Sequence, residues 1–434
     1  MRIAKIFQVP GLLILSMLSV TIAGQAQAAE ECHDCQFSIG TLIAAVLSNN
    51  PGLKVRRLEA LASEQDTKAA GRLKWGSVSV SSETNTSKVN SGSYPARMLR
   101  LDQNIWDNGW ANAKEQEARA QQELAFLQID AVAQELGLQT VQTWQALMAA
   151  NGKIAAAQIA LKRLREYRQQ MQRRVDAQAA SAVDLELTQA RVLQTEVELA
   201  AVQSTYRLAI QKLESLLGEQ GVASRMPTHA MGASESAQRA MTQWLLSSTD
   251  WQGVIAKHPA LLRSQQEITS VTHKLAAKKA EQWPQVYVRL DQPLSQTINV
   301  SSTATSYYLG IRYSSGAGFM GQVEAQAMST RLQSAQQAQE AVRQELIQQL
   351  NADKEEFINS RERITAMAQT VRGAEVVLES YMRQFQAGRK NWMDLLNVQR
   401  ELVQNQFALA ETQASLLGAL LRLQIRTGQN IQAD

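Results

Sequence analysis

Leucine recurs at 395, 402, 409, 416 and 423, a strict seven-residue spacing within the stretch Gly388 to Leu423. An ideal helix drifts against a period of seven, so holding that stripe against a partner imposes a left-handed supercoil. The pattern recurs 210 residues earlier, where Leu185, Val192, Leu199, Tyr206 and Leu213 hold the matching positions. Asp184-Leu185 matches Asp394-Leu395, and Leu217-Gly218 matches Thr427-Gly428. A chain that repeats itself at this distance is built from two copies of one unit.

Other landmarks are duplicated in the same order. A short helical pattern stops at Asn49-Asn50-Pro51, and another at Lys257-His258-Pro259. Each proline can occupy the first turn of the next helix, where its missing N–H costs nothing. Those helices end at Trp75 and Trp283. The period then switches to two. Val286, Val288 and Leu290 alternate with Tyr287 and Arg289, and Tyr307, Leu309, Ile311 and Tyr313 with Tyr308, Gly310 and Arg312. In the first copy Val78 and Val80 alternate with serines, and Leu99, Leu101 and Ile105 with Arg100, Asp102 and Asn104. Two amphipathic strands per copy are predicted, separated by polar spans at Glu83–Ser93 and Ser295–Thr305. Trp106-Asp107-Asn108-Gly109 closes the first hairpin, with Asp107 or Asn108 expected to cap the next helix.

Each strand pair leads into a long helix. With seven prolines in 434 residues, about 67 proline-free residues reach Arg174 in the first copy, and a matching run goes from Phe319 to Gln386 in the second. That is roughly 100 Å of helix, beyond a normal globular element. Short breaks at Asp176–Ser181 and Ala387–Asn391 return the chain through the heptad helices. The expected organisation is a first repeat at 41–218, a spacer at 219–250 with a short helix around Ala237 to Leu246, a second repeat at 251–428, and a tail at 429–434.

At the N-terminus, Arg2 and Lys5 precede an apolar run from Leu12 to Ala23 and then Ala26-Gln27-Ala28. This is the pattern of a secretory signal, residues 1–28, cut near Ala28. No later stretch approaches the roughly 20 apolar residues of a membrane helix. The segment 29–40 holds the only cysteines, Cys32 and Cys35. A local disulfide suits an oxidising compartment, while a redox or metal motif would need a strand-to-helix setting that the surrounding sequence does not supply. Four scattered histidines make no ligand spacing, and no phosphate loop, nucleophile elbow or carboxylate pair is present, so neither a cofactor nor catalysis is expected. A formal net charge of +4 without a concentrated basic tail gives no footprint for nucleic acid. The run Lys162, Arg163, Arg165, Arg168, Arg173 and Arg174 reads as a solvated helix face, or as an electrostatic docking surface beside the first break.

With these pieces in this order, the chain resembles the TolC-like outer-membrane factors of Gram-negative export machines. The resemblance spans nearly all of the chain after the signal. It rests on the duplicated Asn-Pro and His-Pro helix starts, the Trp-Asp-Asn-Gly hairpin end, and the paired break-then-Asp-Leu tips. It implies a mainly α fold with β: a homotrimer whose β-barrel takes four strands from each chain, set in outer-membrane lipid and continued by a periplasmic α-helical coiled-coil barrel. It implies a periplasmic membrane-fusion adaptor and an inner-membrane ABC transporter or other pump as partners. The adaptor-docking tips would be Val175, Asp176, Gln178 and Ser181 in one break and Ala387, Gly388, Arg389 and Asn391 in the other. Gly388 can take a positive φ at a tight turn, and Gln178 stands at the matching place. By motif match Asp394 falls where the family places an acidic ring, with Asn397 in place of a second acid. The closing contacts would involve Asp184, Phe385 and Lys390, where the family has Asp, Tyr and Arg. A helix cap is the simpler role for Asp394. The hairpin end resembles the branch that exports large adhesins by type I secretion, with multidrug efflux the runner-up. A periplasmic adaptor has one helical hairpin rather than two, and a coiled-coil surface protein needs no alternating strands.

Overall fold

The computed structural model describes residues 39–85, 94–219, 235–247, 251–294, 304–314, 318 and 320–428, which lie in one compact unit. The signal segment, Cys32, Cys35 and the tail from 429 on lie outside the described residues.

The duplication is metrical. In the first copy α1 (Ile39–Asn49), α2 (Pro51–Gly71) and a 3-10 turn (Arg72–Lys74) lead into β1 (Ser77–Asn85) and β2 (Tyr94–Trp106), then α3 (Trp110–Asp176) and α4 (Ala182–Leu217). The spacer holds α5 (Glu235–Ser247). The second copy runs α6 (Gln252–Ile255), α7 (Pro259–Ala280), β3 (Gln285–Pro293), β4 (Ser306–Arg312), α8 (Met320–Gln386) and α9 (Trp392–Thr427). α3 and α8 each have 67 residues, and α4 and α9 each have 36. Each copy is thus a strand pair carried on a helical hairpin of fixed length. Among the described residues, no helix is long and apolar enough to cross a membrane.

The helix starts follow from their caps. Asn50 accepts a hydrogen bond from Leu53 N at 3.3 Å and donates to Leu216 O at 2.9 Å, tying the start of α2 to the end of α4. His258 plays the first of these roles in the second copy, accepting from Ala260 N at 3.3 Å. Pro51 and Pro259 occupy the first turns as expected. Of the two capping candidates for α3, it is Asp107 that acts: its carboxylate accepts from Gly109 N at 3.0 Å and Ala111 N at 2.9 Å. Asn108 instead takes the left-handed turn, with φ 52.

The four strands form one antiparallel sheet in the order β1-β2-β3-β4. Register places Val78, Leu101, Leu290 and Tyr307 in one row across the sheet, with Leu309 and Ile311 beyond. Val78, Val80, Leu309 and Ile311 are all exposed. The opposite face is charged and internally paired: Arg100 bonds Asp291 at 2.8 Å, and Arg289 bonds Asp102 at 2.7 Å. Tyr287 lies over Gly310, where an added Cβ would sit 2.6 Å from its ring, and Arg312 stacks on the same ring at 4.7 Å. β1 and β2 run further than their side-chain pattern predicts, pairing from Glu83↔Ala96 to Asn85↔Tyr94 inside the span expected to be polar loop. A backbone ladder does not require apolar side chains, so pairing continues past the alternating stretch.

Within the helical part α3 packs against α4, α7 and α9, and α8 against α7 and α9. The heptad stripe is the buried one: Leu395, Leu402, Leu416 and Leu423 are each no more than 1% exposed. α3 and α9 approach closely where Gly152 faces Ala410, a place where a Cβ would come within 2.7 Å. Midway, α5 lays Met241 and Leu245 on Phe357 of α8 and Leu416, Leu420 and Leu423 of α9. Beside this cluster the buried Asp353 holds Arg422 at 2.6 Å and Arg426 at 2.8 Å, and Arg422 also reaches Glu356 at 2.6 Å and Gln145 Oε1 at 2.7 Å.

Candidate functional site: the helical tips and the polar sheet face

The two breaks between the long helices have the same backbone. After α3, Gln178 N bonds Val175 O at 2.9 Å and Ala179 N bonds Arg174 O at 2.7 Å. After α8, Gly388 N bonds Phe385 O at 3.0 Å and Arg389 N bonds Gln384 O at 2.9 Å. Both are Schellman ends, which need one left-handed residue, here Gln178 with φ 57 and Gly388 with φ 72. The missing glycine in the first tip therefore leaves the turn unchanged and adds local strain. Asp176, Gln178, Ala387, Gly388 and Arg389 are exposed, and Val175 is half-buried.

Side-chain caps start the return helices. Ser181 accepts from Val183 N at 3.2 Å, and Asn391 accepts from Asp394 N at 3.0 Å. Asn391, not Asp394, is therefore the cap of α9. Asp184 and Asp394 occupy equivalent first-turn positions, both half-buried, where a carboxylate complements the helix dipole. Asn397, one turn on, is half-buried too.

The expected set of Asp184, Phe385 and Lys390 is not joined by any hydrogen bond or ion pair among the described residues. Lys390 turns back on its own tip, 3.6 Å from Asp394 and 4.4 Å above the Tyr381 ring. Phe385 has no hydroxyl to offer an acid and packs instead against Trp392, ring centroids 4.8 Å apart, under the Arg174 guanidinium at 4.6 Å. Trp392 is the residue that sequence reasoning missed. It is 2% exposed, meets Tyr167 edge-on at 5.6 Å, and donates Nε1–H to Thr188 Oγ1 at 2.6 Å. Burial raises the pKa of the Tyr167 phenol, so the ring stays neutral. The available signal was an asymmetry: Ala182 stands where the second copy has Trp392.

Much of the basic run on α3 is engaged within the chain. Arg165 pairs with Glu196 at 2.8 Å, Arg168 bonds Gln189 at 3.0 Å, and Arg163 reaches Gln399 at 3.4 Å. At the other end of the molecule, a cavity of about 750 Å³ opens where sheet meets helices, lined by Lys278, Trp283, Arg312, Tyr313, Met320 and Glu324 among others. Among the described residues no cluster of His, Cys, Asp or Glu could hold a metal ion. The arrangement offers a polar sheet face continuous with long hairpins whose tips carry acids.

Residues 252–429, the second copy, match the family model described as outer membrane efflux protein. No curated protein matches the sequence. Among solved structures, the chain is similar to the outer membrane protein VceC from Vibrio cholerae, at 15% identity and a TM-score of 0.76, over 90% of this chain and 96% of that one. It is similar to the open state of the Neisseria gonorrhoeae MtrE outer membrane channel, at 14% identity and 0.71, over 92% and 90%. CusC, described in connection with transmembrane channel formation, gives 14% and 0.76, over 91% and 93%. The fold is that of TolC-like channels.

Proposed function

We propose that this chain, an outer-membrane factor of the TolC-like kind, is the passive exit duct of a tripartite export machine. The observation that carries the reading is the four-stranded sheet with one exposed apolar face, one charged face and, among the described residues, two unpaired edges, carried on two long helical hairpins. An open strand edge is not tolerated in lipid, and four strands cannot close a barrel, so β4 of one copy pairs with β1 of the next. Three copies give twelve strands, with the apolar face toward lipid and the Arg100–Asp291 and Arg289–Asp102 pairs toward the lumen. The exposed apolar residues of α2 (Val55, Leu58, Leu61) and α4 (Leu193, Val197, Leu208) are covered in the same assembly. The tips at Gln178 and Gly388 face the periplasm and meet the adaptor. An inner-membrane transporter supplies the energy, and no catalytic group is required of this chain.

For the cargo we favour a large adhesin exported by type I secretion, on the resemblance of the Trp106-Asp107-Asn108-Gly109 hairpin end. The family description favours a second reading, efflux of small molecules. Deleting the gene in its own host separates them. Loss of a surface adhesin with unchanged drug tolerance supports the first, and drug sensitivity with intact surface protein supports the second. Recovery of the protein as a monomer without detergent would count against both.

A further inference from the structure

The cavity of about 750 Å³ where the sheet meets α7 and α8 has an apolar part and a charged part. Its volume falls in the range of roughly 300–1,000 Å³ that holds small ligands. Trp283, Tyr313 and Met320 supply the apolar part, and they are 59%, 57% and 52% exposed. In the charged part Lys278 bonds both carboxylates, Glu281 at 3.0 Å and Glu324 at 2.9 Å. Arg312, the last residue of β4, is different. Among the described residues its guanidinium makes no ion pair or hydrogen bond, and it lies on the Tyr287 ring, 4.7 Å from the centre. That ring is itself seated over Gly310, where an added Cβ would come within 2.6 Å. Stacking occupies the face of a guanidinium and leaves the N–H fork at its edge free. The two copies diverge at this junction. α3 opens with the half-buried Trp110 where α8 opens with Met320. β2 ends in Asn104-Ile105-Trp106 without a cation, and in the first copy Lys74 and Arg119 both pair with Glu115. The second junction therefore combines a smaller side chain with a guanidinium that has no counter-charge of its own.

We propose that this cavity is a binding site for an amphipathic organic anion, with Arg312 holding its carboxylate or phosphate and Trp283, Tyr313 and Met320 taking its apolar body. The planar fork of arginine matches either group bidentately. Its fixed seat on Tyr287 lowers the cost of ordering it around a ligand. Glu281 and Glu324 are engaged by Lys278 and do not compete for the guanidinium. Pairing of β4 with a neighbouring strand runs in the plane of the sheet, so it leaves the stacked face uncovered. Two sources carry this chemistry, an anionic phospholipid of the leaflet around the sheet and a soluble organic anion. The site stands apart from the duct reading, since its occupancy is read on the protein whether or not a pore conducts.

Two measurements on the full-length protein in lipid nanodiscs test this. In phosphatidylcholine discs, calorimetry compares 2-naphthoate with its neutral isostere 2-naphthamide. The anion should bind at least about tenfold more tightly to the parent, and Arg312→Gln should abolish the difference. Arg312→Lys, which keeps the charge and loses the fork, should fall between. Met320→Trp gives the second copy the residue that opens α3 in the first. It should weaken naphthoate by about tenfold with every charge in place, by filling the cavity. In discs containing phosphatidylglycerol, native mass spectrometry counts the lipids that stay bound. Retention of phosphatidylglycerol by the parent, lost in Arg312→Gln, identifies the lipid as the source. Naphthoate binding without such retention identifies the soluble anion. The proposal is overturned if neither naphthoate nor phosphatidylglycerol distinguishes the parent from Arg312→Gln, or if naphthoate binds Met320→Trp as it binds the parent. Failure of the duct reading would show separately, as a folded protein without discrete conductance.

Discussion

His258 gives the protein a defined acid sensitivity. It is 5% exposed, its Nδ1 accepts the Ala260 N–H, and its Nε2 is buried with no hydrogen-bond partner among the described protein atoms. Burial, and then the charge of Arg426, lower its pKa from 6.5 to about 4. The neutral ring is therefore favoured in the folded state. The stability this confers is complete above the unfolded-state pKa of 6.5, and is lost as pH falls through the folded value near 4. At about pH 4.5 the loss is about 2–3 kcal/mol per chain, at roughly 1.4 kcal/mol per pKa unit. At roughly 2 cal/mol/K per residue of unfolding entropy, that lowers Tm by about 3 °C. His258→Asn substitutes the residue that the first copy uses at the same place, Asn50, and removes the titration. Thermal denaturation of the detergent-solubilised protein at about pH 7.5 and pH 4.5 measures the effect. The parent should lose about 3 °C more than the variant on acidification. An equal acid shift in both proteins would refute the assignment of this sensitivity to His258.

The tips and the buried ion network give further tests. Gln178→Gly should stabilise the protein by about 1 kcal/mol, because it relieves a left-handed non-glycine residue, and Gly388→Val should destabilise it by more, both read from thermal melts. Asp353→Ala should cost about 2 kcal/mol, since it removes the carboxylate that the half-buried Arg422 and Arg426 share while Glu356 and Gln145 still hold Arg422, and Arg422→Ala with Asp353→Ala should cost less than the sum of the two single variants.

The fold was legible because the two strongest periodicities are each tied to a burial requirement. The seven-residue stripe at Leu395–Leu423 must face another helix, and the two-residue alternation at Val286–Leu290 must divide one face from the other. Their duplication then fixed matching lengths for α3 and α8 and for α4 and α9. The ends of strands were less legible. Glu83–Asn85 pair through backbone groups that side-chain polarity does not report. The tips divided along the same line. Gly388 announced its positive φ, whereas Gln178 reaches the same conformation because the Schellman bonds and the shared core over-determine it. Asn391 outcompeted Asp394 as the cap because it stands one residue before the helix, where an acceptor meets the free N–H groups. Trp392 was invisible to periodicity, since it lies just before the heptad stripe begins. Only its mismatch with Ala182 distinguished it.

The most direct measurement is single-channel recording of the purified protein in a planar bilayer. Three copies closing one duct, with Asp394 at the narrow end, predict discrete pores that prefer cations. Carboxylates brought together by symmetry attract cations, so divalent ions should block the pore. The Asp394→Ala pore should lose both the preference and the block, and the Lys390→Ala pore should open more readily. Absence of any discrete conductance from a folded, detergent-stable protein would contradict the duct itself. Parent-like selectivity in Asp394→Ala would place its entrance elsewhere.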